Sequence, residues 1–326
     1  MKKTKTFAAV VAMAFAFSTP AGAQTDALPA QSIDIVVGYA AGGSTDIVAR
    51  IIGKALSERV ARPVIVLNKP GASGTMAAAE VSRAKGDSST LLMFTTPMLL
   101  AHHISKDIRL NPSKDLAPVA TIYDLPNVLT VNKERNPAVK NLQDLVGLAG
   151  KKPGGLNYGS GGTGSIGHMA VEDLKGRRKF EAQHIPYKGG SAAVADLLGG
   201  QIDLVNADLV AVLPHIRSGK LTALAVGTAQ RVSVLPDTPT VAEQGVPGFT
   251  AVAWGGLMAP KSMPQQVVDR LSREIRDILK DEAIRAQLLN VGAFAVYGTP
   301  VEMANRLKDD DQHWGQVARS NRIAAD

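Results

Sequence analysis

From residue 33 onward, short β-branched runs alternate with stretches of helical periodicity, and this alternation constrains the fold more than any other feature of the chain. A strand followed by a helix before the next strand pairs in parallel, so the order predicts an α/β fold with mostly parallel strands. In the first series, strands are expected at 33–37, 64–67, 91–94 and 119–122, with helices over about 44–60 and 74–84. A second series carries strands at 156–158, 183–186, 202–205 and 221–226, and helices over 141–148, 165–175, 192–198 and 210–216. The chain closes with helices over 265–279 and about 300–317 around a strand at 294–297.

Two extended segments, near 125–132 and 249–258, join the two series. The pattern predicts a hinged pair of lobes, the first built from 24–124 plus 255–326 and the second from 125–254. Open sheets bind ligands beyond the carboxyl ends of their strands, so two facing lobes would enclose a cleft lined by strand-end loops.

The first 23 residues stand apart. Lys2, Lys3 and Lys5 precede an eleven-residue apolar run over 7–17, and Ala21-Gly22-Ala23 follows. This is the order of a secretory signal, with cleavage expected after Ala23; the apolar run is too short for a span of roughly 20 residues. Export into a periplasm is the expected location. The chain has no cysteine, hence neither a disulfide framework nor thiolate chemistry. Without the leader, 36 − 3 = 33 basic residues face 29 acidic ones, and only Arg177-Arg178-Lys179 forms a basic run. Scattered charge and 4% aromatics argue against nucleic-acid binding.

Two glycine loops carry the chemistry. GYAAGGSTDIVAR (38–50) leaves the first strand and opens a helix, with Ser44 or Thr45 expected as N-cap and Asp46 in its first turn. A helix N-terminus offers amides and partial positive charge to an anion; an ordinary strand-to-helix turn has the same sequence. GSGGTGSIGH (159–168) contains Gly162-x-Gly164-x-x-Gly167, literally a dinucleotide fingerprint. That motif needs an acid about 20 residues on for the ribose. None occurs between 182 and 190, and no GxxxxGK[ST] is present, so no nucleotide cofactor is expected. Thr163-x-Ser165-x-Gly167 distantly echoes a nucleophile elbow. A secreted serine hydrolase using Ser165 and His168 is therefore an alternative, although His168 is better placed to bond the loop backbone. His102 and His103 are adjacent, so their side chains are expected to diverge, and no metal site is expected. His184, His215 and His313 read as isolated.

Seven blocks in order make the pattern specific: GGSTDIVAR, NKPGASGTMAAAEV, GSGGTGSIGHMA, IPYKGGSAAVADLLGGQIDL, LPHIRSGKLTALAV, LPDTPTVAEQGVPGF and APKSMPQQVVDRL. Together they resemble the Bug-type extracytoplasmic solute receptors of tripartite tricarboxylate transporters. The resemblance implies a two-lobed, hinged periplasmic-binding-protein fold, type II-like. It implies a non-enzymatic, monomeric receptor that captures a small organic carboxylate (di- or tricarboxylate, or acidic amino acid) and delivers it to transporter membrane subunits. A sensor serving a membrane signalling partner is a further alternative. The implied first grip is Tyr39, Ala40, Gly42, Gly43, Ser44, Thr45 and Asp46. The implied facing grip is Ser160, Gly161, Thr163, Gly164 and Ser165, with His168 behind, and Pro97, Asn206 and Asp208 complete the lining. Where such receptors read close to PFAPGGSTD, this chain has GYAAGGSTD, so Tyr39 brings a hydroxyl that faces either ligand or water. Asp208, in VNAD, either caps the following helix or takes a ligand amino group.

Overall fold

The computed structural model describes residues 28, 32–85 and 89–324; the expected signal over 1–23 lies outside them. In the first series β1 (Ile33–Val37) leads to α1 (Ser44–Val60) and β2 (Val64–Asn68), and a 3-10 turn at Ala72–Gly74 leads to α2 (Thr75–Ser82) and β3 (Thr90–Thr95). Then come α3 (Thr96–Ile104), α4 (Pro112–Asp115) and β4 (Leu116–Asn132). The second series is α5 (Leu142–Lys151), β5 (Leu156–Ser160), α6 (Ile166–Arg178), β6 (Ala182–Pro186), α7 (Gly190–Gly199), β7 (Leu204–Asp208), α8 (Leu209–Arg217) and β8 (Leu221–Val226). The return comprises β9 (Val252–Pro260), α9 (Gln265–Ile278), α10 (Glu282–Asn290), β10 (Phe294–Gly298) and α11 (Pro300–Ser320).

Local chemistry sets several of these boundaries. Asn141 caps α5 by accepting from the Asp144 amide, and Thr299 and Glu302 form a reciprocal capping box on α11. Lys179, in the left-handed region, ends α6 just after its basic last turn. Helix α9 buries Val267, Leu271, Ile275 and Ile278, an apolar stripe at helical spacing.

The strands follow the path β2-β1-β3-β9-β4-β7-β5-β6, with β8 and β10 also on β4. Pairs within each outer group are parallel: β1 with β2 and β3, β5 with β6 and β7. All pairings of β4 and β9 are antiparallel, so the sheet is more mixed than expected. The cause is that these two strands run between the groups in opposite directions. The strand expected at 119–122 and the extended segment expected near 125–132 are in fact one strand. Pro118 sits beside a register shift, and Pro126 sits where β4 leaves β9 and takes up β7, so neither missing N–H interrupts a regular ladder. The extended return begins at Val252, after the buried Phe249. Helices α3, α4 and α10 were not expected.

Two large apolar clusters flank the sheet and a third packs α7 and α8 onto β7. Trp254, Tyr123, Tyr158 and Phe94 are among the largest fully buried side chains. Among the described residues no helix is long and apolar enough to cross a membrane.

Candidate functional site

A cavity of about 300 Å³ opens where β4 and β9 pass between the strand groups. Its wall is built from the β1–α1 loop (Tyr39 to Thr45), Thr95 and Pro97 at the start of α3, and Gly161 and Ser165 to Gly167 at the start of α6. Lys188 to Ala192 at the start of α7, Asn206 to Asp208 at the end of β7, and Tyr123, Leu125, Asn127, Ala253 and Trp254 from the crossing strands complete it. Five helices thus aim their N-termini at one space.

Two of those helices are capped by their own side chains. Ser165 accepts from the His168 amide on α6, and Asp208 accepts from the Ala211 amide on α8. The other three are not: Gly43 before α1, Thr95 before α3 and Gly189 before α7 give no side-chain cap. The cap of α1 is Gly43, not Ser44 or Thr45 as expected; those two residues are already helical. Uncapped first-turn amides carry the positive end of each helix dipole, so the cavity attracts negative charge. The one cation in its lining is Lys188, an exposed side chain.

Asp46 does not line the cavity. Its buried carboxylate accepts from the Gly42 amide (2.8 Å), Asn68 Nδ2 (2.9 Å) and Arg50 Nε (2.9 Å). Burial alone would raise its pKa, but Arg50, the Gly42 amide and Asn68 together hold it below the usual carboxylate range. Asp46 is therefore the brace that folds the Gly42–Gly43 turn. Tyr39 lines the cavity, and its hydroxyl is engaged within the protein: it donates to the Ser73 carbonyl (3.0 Å) and lies 3.0 Å from Thr95 Oγ1. Burial pushes that hydroxyl's pKa up to about 12.

Asp208 takes the first of the two roles the sequence left open, as the cap of α8, and adds a contact the sequence did not offer. Besides capping α8, its Oδ1 accepts from Ser44 Oγ at 2.6 Å, across the cavity from the α1 terminus. Burial raises its pKa, only partly opposed by the Ser44 and Ala211 bonds. Asn206, beside it, donates to the Gly167 carbonyl at 3.2 Å.

On the facing side, Gly161 and Ser165 reach the cavity, whereas Ser160, Thr163, Gly164 and His168 stand behind it. His168 Nδ1 accepts from the Gly164 amide (3.1 Å), so it braces the loop. Ser165 Oγ donates to Ser160 Oγ (3.1 Å), which is 2.7 Å from His184 Nε2. The pairing of Ser165 with His168 that a hydrolase needs is thus not assembled. His184 is not isolated: it stacks on His168 with ring centroids 3.8 Å apart. Burial lowers His168 to about 4; burial and then the neighbouring His168 lower His184 to about 3, so both are neutral at ordinary pH.

The glycines of the literal fingerprint serve the backbone. Gly162 and Gly164 take φ of 120° and 77°. A Cβ on Gly167 would lie 2.1 Å from the Asn206 carbonyl, so α6 packs directly on β7. The histidines expected to diverge do not. His102 and His103 lie 4.0 Å apart ring to ring, because α11 brings Asp311 against both.

Of the expected residues, Pro97 at the start of α3, Asn206 and Asp208 line the cavity, whereas Thr95, the start of α7 and the crossing-strand residues were not expected there. One signal was available: Gly189-Gly190-Ser191 repeats the order Gly42-Gly43-Ser44 at the head of a helix.

The geometry has parallels among known proteins. Residues 48–323 match the family described as "Tripartite tricarboxylate transporter family receptor". Protein BugT of Bordetella pertussis is 33% identical over 296 residues, 90% of each chain. The Rhodopseudomonas palustris protein Rpa4515, solved with adipate, superposes with TM-score 0.86 at 31% identity, covering 91% of this chain and 99% of its own. MatC from the same organism, solved with bound malate, gives TM-score 0.81 at 30% identity, covering 89% and 99%.

Proposed function

The chain belongs to the tripartite tricarboxylate transporter receptor family, and we propose that it is a periplasmic binding protein for a small dicarboxylate, delivered to the membrane subunits of such a transporter. Receptors of this family are periplasmic solute-binding proteins. The observation that carries the ligand class is the convergence of three uncapped helix N-termini on one cavity of about 300 Å³. One carboxylate sits on the α1 amides of Ser44 and Thr45, with Gly42 held back by Asp46. The second reaches the starts of α3 and α7, where Lys188 adds charge at the rim. Amide dipoles hold anions without the desolvation cost of a buried cation. Adipate and malate in the two structural relatives support a four- to six-carbon diacid.

The lobe boundaries belong to the same proposal: 24–124 with 255–326, and 125–254. Passage of β4 and β9 between the strand groups supports them. Ligand seated on α1 gains the α6 and α7 contacts only when the lobes approach, so binding shifts the population toward the closed form. A monomer suffices for this cycle. The signal over 1–23 supplies export, and cleavage after Ala23 frees the receptor.

The test is thermal melting of refolded mature protein with mono-, di- and tricarboxylates, acidic amino acids and NAD. A dicarboxylate at 100 times its Kd stabilises by about 2.7 kcal/mol, a shift of a few degrees. A panel in which only NAD, or nothing, shifts the melt overturns the reading.

A further inference from the structure

We propose that His102, His103 and Asp311 form a binding site for one divalent transition-metal ion of the zinc class, separate from the ligand cavity. His103 Nε2 lies 2.9 Å and His102 Nε2 3.3 Å from the same Asp311 Oδ1. The three donor atoms all fall within 4.8 Å of one another. Zinc bonds of about 2.0–2.2 Å around a tetrahedral centre space neighbouring donors by about 3.4 Å, close to both distances here. Two imidazoles and a carboxylate are a donor set suited to Zn²⁺, Co²⁺ or Ni²⁺ rather than to Mg²⁺ or Ca²⁺.

A second, independent feature points the same way. Gly315 lies one turn beyond Asp311 on α11, and a Cβ there would stand 2.6 Å from His103 Cε1 and 2.8 Å from Nε2. Helix α11 thus lacks a side chain at the place the imidazole must occupy for its nitrogen to join Asp311. The three side chains are 21%, 16% and 29% exposed, enough for an ion to enter and keep a water as fourth ligand. Among the described residues, the histidine pair His168 and His184 is stacked face to face and belongs to no such cluster. A bound ion would clamp α3 to α11. Since α3 reaches the cavity with Pro97, roughly 10 Å along the helix from His103, the clamp steadies one wall of the ligand site.

The experiment is a Co²⁺ titration of untagged, chelator-treated mature protein, followed by visible d–d absorption and by melting. One equivalent of Co²⁺ is expected to bind, raise the melting temperature and be displaced by Zn²⁺. Asp311→Asn, which keeps the side chain's shape, and Gly315→Ala, which displaces the His103 ring, are each expected to weaken Co²⁺ at least tenfold. His313→Ala, two residues from Asp311, is expected to leave it unchanged, and circular dichroism checks that each variant is folded. Absence of Co²⁺ bands in the wild type overturns the proposal, as does equal binding by Asp311→Asn.

Discussion

At the scale of single residues, the buried Asp46 and the half-buried Asp208 do opposite things to pH dependence. Asp46 is ionised and braced, and its Gly42 bond sets the turn that presents the α1 amides. Asp46→Ala removes a charged acceptor from Gly42, Asn68 and Arg50, at a cost of about 2–3 kcal/mol. The expected result is a melting temperature several degrees lower and a dicarboxylate affinity at least tenfold weaker by calorimetry; unchanged affinity would remove Asp46 from the account. Because its folded pKa is lowered, its stabilisation is present above the unfolded value and lost as pH falls through the folded one. Asp208 has a raised pKa. The folded chain therefore keeps a proton that the unfolded chain has already released, and this contribution to stability declines as pH rises from about 3.9 to the folded value. Above that value its charge also faces the seat of the ligand's carboxylate. Dicarboxylate affinity is accordingly expected to rise as pH falls toward the folded value, and Asp208→Asn to flatten the profile. A wild-type titration that is already flat would refute the repulsion.

At the scale of elements, the proposed site rests on helix ends without side-chain caps. Gly43 has φ −76° and ψ 165°, a conformation any residue adopts, and the nearest atom to an added Cβ is the Ala40 carbonyl at 3.3 Å. Gly43→Asp supplies α1 with the side-chain cap it lacks. It is expected to leave the melt within about 1 kcal/mol of wild type yet weaken dicarboxylate binding at least tenfold, since the anion seat is filled from within. Loss of binding together with loss of fold would say that Gly43 serves the turn alone. The same distinction explains what the sequence revealed. The helices after glycine loops, α1 and α6, were legible because their apolar periodicity is long and their glycines mark the turn. Helix α3 was not, because TPMLLAHHI follows β3 with no intervening turn and is apolar nearly all round, so neither a break nor an amphipathic stripe marks it. The wall from β4 was hidden for a related reason. Tyr123, Leu125 and Asn127 read as ordinary strand residues, and only the passage of one strand between two groups turns them toward a cavity. Asp311 was beyond reach, lying 208 residues from the histidine it meets.

At the scale of the molecule, a long-range hydrogen bond joins two of the loops that line the cavity. Ser44, at the head of α1, donates to Asp208, at the head of α8, although 164 residues separate them. On the proposed lobe boundaries this contact bridges the two lobes, so it favours the same approach that a ligand favours. A hydrogen bond to a carboxylate contributes about 1.5–3 kcal/mol, enough to shift an open–closed equilibrium by roughly 10- to 100-fold. In Ser44→Ala that bias disappears. The ligand-free protein is expected to show a larger radius of gyration by small-angle X-ray scattering, and saturating dicarboxylate to return it to the wild-type value. Affinity then falls for a reason separable from lost contacts: the ligand must close a cleft that Ser44 and Asp208 had partly closed, so the association rate and the dissociation constant change while the ligand-bound scattering curve does not. If ligand-free Ser44→Ala scatters like wild type, the bond is a consequence of closure and not one of its causes, and the bias must lie in the packing of β4 against β9, where Trp254 is held under the Arg306 guanidinium.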